Sequence, residues 1–211
     1  MNTILEFGLH RVLSSIYLKC EVGKITSLLG RNGSGKSCLM KIVFGSMRAE
    51  MCSVRINSKT IIGNRIKQNI IAYLPQENFI PSAITLQQAL AFYGINKHEI
   101  TSIFPEFKLL LKHKPVEISG GQLRLFEVML LLKSKHLFCL LDEPFSGIMP
   151  VHVELLNKVL IETKKVKGII LTDHLYQNTM QVADHLYLLA NGKTYLIKDR
   201  EELIFRGYLN A

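Results

Sequence analysis

The stretch Gly30-Arg31-Asn32-Gly33-Ser34-Gly35-Lys36-Ser37 decides the fold of this 211-residue chain. It fits the pattern G-x-x-x-x-G-K-[ST]. Glycine adopts backbone angles that other residues avoid, so such a loop can turn several N–H groups towards one anion. The apolar run at 25–29 predicts a buried strand before the loop, and the segment 36–44 predicts a helix after it. This order of strand, loop and helix predicts a phosphate site at a helix N-terminus.

The residues of this loop have separate expected roles. The ammonium of Lys36 is expected to reach the β- and γ-phosphates of a nucleotide, and the Ser37 hydroxyl is expected to bind Mg²⁺. The alternative is a chance glycine-rich turn, which the surrounding strand and helix disfavour. The residues expected to contact the nucleotide here are Gly30, Arg31, Asn32, Gly33, Ser34, Gly35, Lys36, Ser37 and Cys38.

Length and composition indicate one ordinary domain, or one domain with a subdomain, and the 48% hydrophobic content supports a full core. Four cysteines are scattered singly with no C-x-x-C pair, which favours a reducing compartment over a disulfide scaffold or a metal site. The first twelve residues, MNTILEFGLHRV, predict no signal peptide because no long apolar run follows a charged segment. No apolar stretch approaches the ~18 residues that a membrane helix needs.

The net charge of +9 leaves three readings open. It suits a nucleic acid, an anionic membrane surface, or a basic cytosolic protein with no such partner. The basic residues are dispersed along the chain and lack the interleaved aromatic residues that bind single strands. We therefore expect no nucleic-acid partner.

The hydrophobic pattern predicts alternating strands and helices, which implies a largely parallel sheet. A helical block at 85–114, broken by Pro105, interrupts the alternation and predicts an inserted helical subdomain at 77–118. The predicted strands are 4–7, 12–20, 25–29, 51–56, 70–74, 137–141, 168–172, 186–190 and 193–197. The other predicted helices are 36–44, 122–132, 151–165 and a segment around 175–183.

Two carboxylates end the apolar run of the second motif, Leu137-Phe138-Cys139-Leu140-Leu141-Asp142-Glu143-Pro144. Ligand chemistry in parallel sheets takes place at such strand ends. Asp142 is expected to hold Mg²⁺ through water, and Glu143 to deprotonate an attacking water as general base. A strand that merely ends in acidic residues is common, and the phosphate loop upstream is what makes the functional interpretation specific.

The third motif, Ser119-Gly120-Gly121-Gln122, predicts a second phosphate-binding nest at the start of a helix. One nucleotide does not obviously need two such loops in one chain. With this motif the chain resembles the nucleotide-binding subunit of an ATP-binding-cassette (ABC) transporter. The resemblance covers residues 1–211 as a single ABC ATPase domain. It implies an α/β fold: a P-loop NTPase core with a mostly parallel sheet, an N-terminal antiparallel β subdomain and an inserted helical subdomain.

The resemblance also implies ATP and Mg²⁺ as ligands, and a homodimer or heterodimer that sandwiches two ATP molecules. In this family the motif equivalent to Ser119-Gly120-Gly121-Gln122 contacts the γ-phosphate held by the other subunit. Gln76 matches the glutamine loop, whose carboxamide senses Mg²⁺ and the attacking water. His174 matches the switch histidine that helps to hold Glu143 and the water, the alternative being a structural histidine. Phe7 falls near the aromatic that stacks on adenine, the alternative being a core residue.

Two positions depart from the family pattern. Cys38 stands where relatives carry a serine or threonine that touches the α-phosphate, and Met149 stands where an aspartate ties the two nucleotide sites together. We expect weakened binding from the first and altered communication between sites from the second. Because Glu143 and His174 are intact, we expect a working ATPase.

Three function classes remain open. We favour a transport ATPase that is peripheral on the cytoplasmic face of the cell membrane and drives integral membrane transporter subunits. The others are a soluble cassette serving an assembly such as an iron-sulfur cluster scaffold, and a nucleic-acid-linked cassette, which usually has coiled coils or two cassettes. Apolar residues after Gln76 are expected to be exposed and to dock on membrane subunits, unless they close the block's own core. These are Phe79, Ile80, Ile84 and Phe92.

Overall fold

The computed structural model describes residues 5–7, 10–13, 16–173 and 176–209. Its centre is a six-stranded sheet in which the first five strands are parallel and the last pair is antiparallel. In spatial order the strands are β6 (Ile71–Leu74), β7 (Phe138–Asp142), β8 (Gly168–Thr172), β3 (Ile25–Leu29), β9 (His185–Ala190) and β10 (Lys193–Ile197). The mostly parallel α/β sheet predicted from the alternating pattern is thus confirmed.

Two short antiparallel hairpins precede β6 in the chain: β1 (Leu5–Phe7) with β2 (His10–Leu13), and β4 (Arg55–Ile56) with β5 (Lys59–Thr60). Asn57 and Ser58 join the second hairpin with positive φ angles of 49° and 65°, as a tight two-residue hairpin turn requires. Of the predicted strand at 51–56, the structure forms the last two residues as β4, and the chain turns back after Ile56. The predicted strand at 12–20 is wrong at residues 16–20, which form no strand, and Tyr17 bonds instead to the side chain of Thr194.

Helices cover both faces of the sheet. The helices are α1 (Lys36–Phe44), α2 (Leu86–Tyr93), α3 (His98–Thr101), α4 (Phe107–Leu110), α5 (Gly120–Lys133), α6 (Pro150–Lys164), α7 (Tyr176–Met180) and α8 (Arg200–Phe205). Successive residues of a strand point to opposite faces. Accordingly Leu140 joins a cluster with residues of α1, while Cys139 and Leu141 join a larger cluster with residues of α5 and α6. No helix in the described ranges is both long and apolar enough to cross a membrane.

The segment 77–118 contains α2, α3, α4 and a 3₁₀ turn at Pro115–Glu117. Thr85 begins α2 with a capping box: its hydroxyl accepts from the Gln88 N–H, and the Gln88 side chain accepts from the Thr85 N–H. Pro105 separates α3 from α4, as its missing N–H predicts. The apolar side chains of this block join the same cluster as one face of the sheet. Whether the block acts as a separate subdomain stays a prediction.

The apolar residues after Gln76 are mostly covered, contrary to our expectation. Ile80 is 6% exposed, and Phe79 and Ile84 are partly buried against the core. The buried carboxylate of Glu127 accepts bonds from the backbone N–H groups of residues 79 and 80, which fixes this segment against α5. Only Phe92, at 85% exposed, meets the prediction of an open apolar side chain.

Candidate functional site

The phosphate loop joins the end of β3 to the start of α1. All five residues of β3 are buried, so the loop leaves the centre of the sheet at its carboxyl edge. Gly35 has a φ of 101°, a conformation that side chains disfavour. A Cβ at Gly30 would lie 2.5 Å from the Ser34 hydroxyl and 2.8 Å from the Leu189 carbonyl oxygen. The glycines therefore permit both the turn and its close packing.

Lys36 is held inside the loop. Its side chain is 5% exposed, and its ammonium donates to the carbonyls of Gly30 at 2.7 Å and Arg31 at 3.3 Å. Burial lowers the pKa of Lys36, and the charges of Glu143 and two aspartates oppose this effect. The loop thus places one cation where it faces the carboxylates at the neighbouring strand end.

A cavity of about 570 Å³ opens beside the loop. It brings the phosphate loop together with two residues predicted from other motifs. Its lining residues are Asn32, Gly33, Ser34, Gly35, Lys36, Ser37, Cys38, Gln76 and Glu143. Gly30 lies beneath the loop, and Arg31 turns away to donate to the Gly207 carbonyl at 2.6 Å. Seven consecutive residues of the loop and the first turn of α1, and both catalytic candidates described by the structure, therefore share one site.

Glu143 and Gln76 are bonded across this cavity. The Gln76 amide donates to a carboxylate oxygen of Glu143 at 2.9 Å. The backbone of Glu143 has a φ of 52°, and its N–H lies 3.1 Å from both the carbonyl and the hydroxyl oxygen of Thr172. A non-glycine residue in this conformation is strained and persists only when its surroundings hold it. Because the backbone turns at Glu143, this residue leaves the direction of β7 and lines the cavity.

Asp142 lies behind that wall, with none of its surface exposed and no place in the cavity lining. One carboxylate oxygen accepts from the Thr172 hydroxyl at 2.6 Å, and the other accepts from the Tyr73 hydroxyl at 3.4 Å. Burial, together with the Asp142 charge, raises the pKa of Tyr73. The buried position of Asp142 suits an action through water rather than direct contact.

The residues present fit a Mg²⁺-nucleotide. Mg²⁺ prefers oxygen ligands, and Ser37, Gln76 and Asp142 offer a hydroxyl, an amide oxygen and a carboxylate. Ser37 and Gln76 line the cavity itself. Within the described residues the buried hydroxyl of Ser34 has no hydrogen-bond partner, so the loop retains a donor for an anion.

The third motif lies outside this cavity. Ser119 is exposed and caps α5: its hydroxyl accepts from the Gln122 N–H at 3.2 Å, and the Gln122 side chain accepts from the Ser119 N–H at 3.1 Å. Gly121 packs so closely that a Cβ there would collide with the Gly147 carbonyl. The described lining of the cavity includes none of the residues 119–122, Gly120 among them. One chain alone therefore does not bring the first and third motifs together.

Two predicted residues fall beyond the described part of the molecule. His174 lies outside the described residues, and of Phe7 only the backbone is described, at the end of β1 opposite His10. Their roles stay predictions. Of the two departures from the family pattern, Cys38 lines the cavity and Met149 is 55% exposed immediately before α6.

Sequence reasoning missed the charged pair inside α5. Arg124 and Glu127 are 4% and 0% exposed, in a run from 123 to 132 whose other members are buried apolar residues. Arg124 donates to the backbone carbonyls of Pro75, Asp142 and Glu143. A helix that is apolar all round is buried, so two opposite charges three positions apart within it were the available signal.

Comparison with known families decides which family this chain belongs to. The family model described as "ABC transporter" matches residues 13–146, a segment that includes the phosphate loop, Ser119 and Glu143. The chain belongs to the ABC transporter family. This cassette is an ATP-binding subunit and an ATPase, as the members of the family are. The resemblance drawn from the three motifs is confirmed.

Known relatives of this ABC cassette align with most of its length. It is 26% identical to the high-affinity branched-chain amino acid transport ATP-binding protein BraG of Pseudomonas aeruginosa, over 89% of the chain and 86% of the relative. It is 28% identical to the lipopolysaccharide export system ATP-binding protein LptB of Haemophilus influenzae, over 91% and 86%. Among solved structures, an ATP-binding subunit of an ABC transporter matches with a TM-score of 0.81 at 23% identity, over 100% of this chain and 93% of the other, which supports the same fold.

Proposed function

We propose that this cassette is the ATP-hydrolysing subunit of a transporter, driving separate integral membrane subunits by ATP-dependent dimer closure at the cytoplasmic membrane face. One observation carries the proposal. The cavity unites the phosphate loop, Gln76 and Glu143, while the exposed Ser119 lies outside it in the same chain. A second, identical or similar chain would supply residues 119–122 to the γ-phosphate and complete the site.

The hydrolytic chemistry follows from the residues of the cavity wall. Glu143 acts as the general base that removes a proton from the attacking water, and Gln76 holds the carboxylate in place through its 2.9 Å bond. Lys36 faces the phosphates from inside the loop. Ser37, Gln76 and Asp142 would hold Mg²⁺, which would supply positive charge to balance the charge on the phosphate oxygens.

The transported cargo is selected by the membrane subunits in this proposal. The two relatives named above serve, by their names, branched-chain amino acid transport and lipopolysaccharide export, at nearly equal identities of 26% and 28%. Such different cargoes on such similar cassettes support a division of labour in which this chain supplies energy only.

Three aromatic side chains in contact support a docking surface on α2 that the membrane subunits would cover. Phe92 is 85% exposed and contacts Tyr93 edge-on, with ring centroids 5.6 Å apart. Tyr93 in turn contacts Phe79 edge-on at 6.4 Å. Phe79 lies three residues after Gln76. These contacts therefore connect the glutamine loop to the exposed Phe92, which an apolar segment of a membrane subunit can cover.

Co-purification from detergent-extracted membranes tests this proposal. We expect the parent chain to retain an integral membrane protein, Phe92→Asp to lose it, and Phe205→Asp to keep it. Phe205 is the matched control because it is 88% exposed on α8. The isolated Phe92→Asp chain should keep its basal ATPase activity. Retention of the membrane protein by Phe92→Asp at the parent level would remove the docking surface, and recovery of a scaffold complex without any membrane protein would favour the alternative of a non-transport assembly.

A further inference from the structure

Arg124 bonds two separate segments of the active site from within α5. Its guanidinium donates to the Pro75 carbonyl at 2.7 Å and to the Glu143 carbonyl at 3.1 and 3.3 Å, and it also donates to the Asp142 carbonyl. Pro75 directly precedes Gln76, and the other two acceptors are the residues at the end of β7. One buried side chain therefore fixes the backbone on both sides of the bond between Gln76 and Glu143.

Glu127 fixes the far side of the glutamine loop. One of its carboxylate oxygens accepts from the N–H groups of Phe79 at 2.7 Å and Ile80 at 3.1 Å, and the other lies 3.8 Å from the Arg124 guanidinium. Burial raises the pKa of Glu127, and the two backbone N–H groups and Arg124 oppose that rise. The pair thus holds the glutamine loop at residue 75 and again at residues 79 and 80.

Stability alone does not account for this pair. Two charges buried in an apolar helix cost desolvation, and apolar side chains of similar volume are often as stable or more so. The acceptors of Arg124 point to another role. Glu143 adopts a φ of 52°, so its carbonyl and that of Asp142 leave the regular strand pattern at this point. A planar guanidinium with five fixed donors suits several carbonyls arranged around one point.

We propose that Arg124 is a positioning residue for ATP hydrolysis. It holds Glu143 in its left-handed backbone conformation and keeps Gln76 opposite the carboxylate, while Glu127 holds residues 79 and 80 of the glutamine loop against α5. The inference rests on the role of Glu143 as general base given under the proposed function. Arg124 contacts carbonyls only and is not itself a catalytic residue.

Steady-state kinetics of Arg124→Lys and Arg124→Met test the proposal. Both variants should lose kcat by roughly 10- to 100-fold, the range seen when outer partners of a site are removed. The affinity for a non-hydrolysable ATP analogue should stay unchanged, because the phosphate loop is untouched. Lysine keeps the charge but cannot span three carbonyls, so it should not rescue activity. Arg65→Met is the matched control, since Arg65 donates to a carbonyl of α1, that of Ile42, at 2.6 Å, and does not line the cavity.

A double variant separates positioning from folding. Arg124→Met alone leaves the buried Glu127 carboxylate without the positive charge of the guanidinium. This variant should therefore have a lower thermal unfolding midpoint. Arg124→Met/Glu127→Gln removes both charges but keeps a side-chain oxygen that can accept from the N–H groups of Phe79 and Ile80, so it should recover most of the midpoint while kcat stays low. A purely structural pair would instead recover activity together with stability.

The outcomes separate this inference from the proposed function. Folded Arg124 variants that hydrolyse ATP at the parent rate overturn the positioning role. Glu143→Gln, measured beside them, should be inactive. If Glu143→Gln turned over ATP at the parent rate, the base assignment would fail whatever the Arg124 variants showed.

Discussion

The phosphate loop and the opposite wall of the cavity are built in different ways. In the loop, Lys36, the residue proposed to face phosphate, bonds to carbonyls five and six positions away, those of Arg31 and Gly30. In the wall, Gln76 bonds to Glu143 over 67 positions, and Arg124 bonds to Pro75 over 49. The proposed phosphate contact is therefore held by local bonds, whereas the placement of the proposed base depends on the tertiary fold. The two regions should fail differently when they are changed.

The largest effect should come from the wall, at Glu143→Gln. Glutamine keeps the size of the side chain and removes the base, so kcat should fall by about 10²- to 10⁴-fold. Bound ATP should be retained, and size-exclusion chromatography with ATP should show a trapped dimer. Phosphate release measures the first effect. Glu162→Gln is the control, because Glu162 forms only an exposed pair with Lys165. Loss of ATP binding in Glu143→Gln would mean that the two regions are not separable.

Lys36→Ala should produce the opposite signature, a loss of binding. Removing one partner of a buried charge pair costs about 2–5 kcal/mol, so the affinity for ATP should fall by roughly 30- to several-thousand-fold. Titration with a fluorescent ATP analogue measures this change. Lys41→Ala offers a matched control on the same helix, because Lys41 is exposed in the last turn of α1. Binding that survived in Lys36→Ala would show that the backbone of the loop is sufficient.

The smallest effect should come from Cys38→Ser. The serine hydroxyl is a stronger donor than the thiol, and by the resemblance described above it would lie near the α-phosphate. A neutral hydrogen bond contributes about 0.5–1.5 kcal/mol, so affinity should improve by roughly two- to tenfold while kcat stays constant. Cys52→Ser, a partly buried cysteine outside the cavity lining, should change neither value. A change in kcat without one in affinity would contradict the local character of the loop.

The same contrast explains how much the sequence could predict. The bounds of α1 and of β8 match the predicted 36–44 and 168–172, because periodicity and glycine positions are local signals. Burial of Ile80 follows the alternative rather than the favoured expectation, since an apolar residue does not reveal which surface covers it. Arg124 and Thr172 acquire their roles only when α5, β7 and β8 come together. The opposite charges at 124 and 127 in an apolar helix signal a buried pair, but no local pattern reveals its distant hydrogen-bond acceptors.

One feature of α5 has a mechanical consequence. The helix is buried continuously from 123 to 132, yet it begins at an exposed serine. Arg124 follows Ser119 by five positions, about 7.5 Å along the axis at a rise of 1.5 Å per residue. Less than two helical turns therefore separate the exposed tip from the guanidinium that bonds the carbonyls of Asp142 and Glu143. We expect a contact made at that tip to be transmitted along this short segment to both carbonyls.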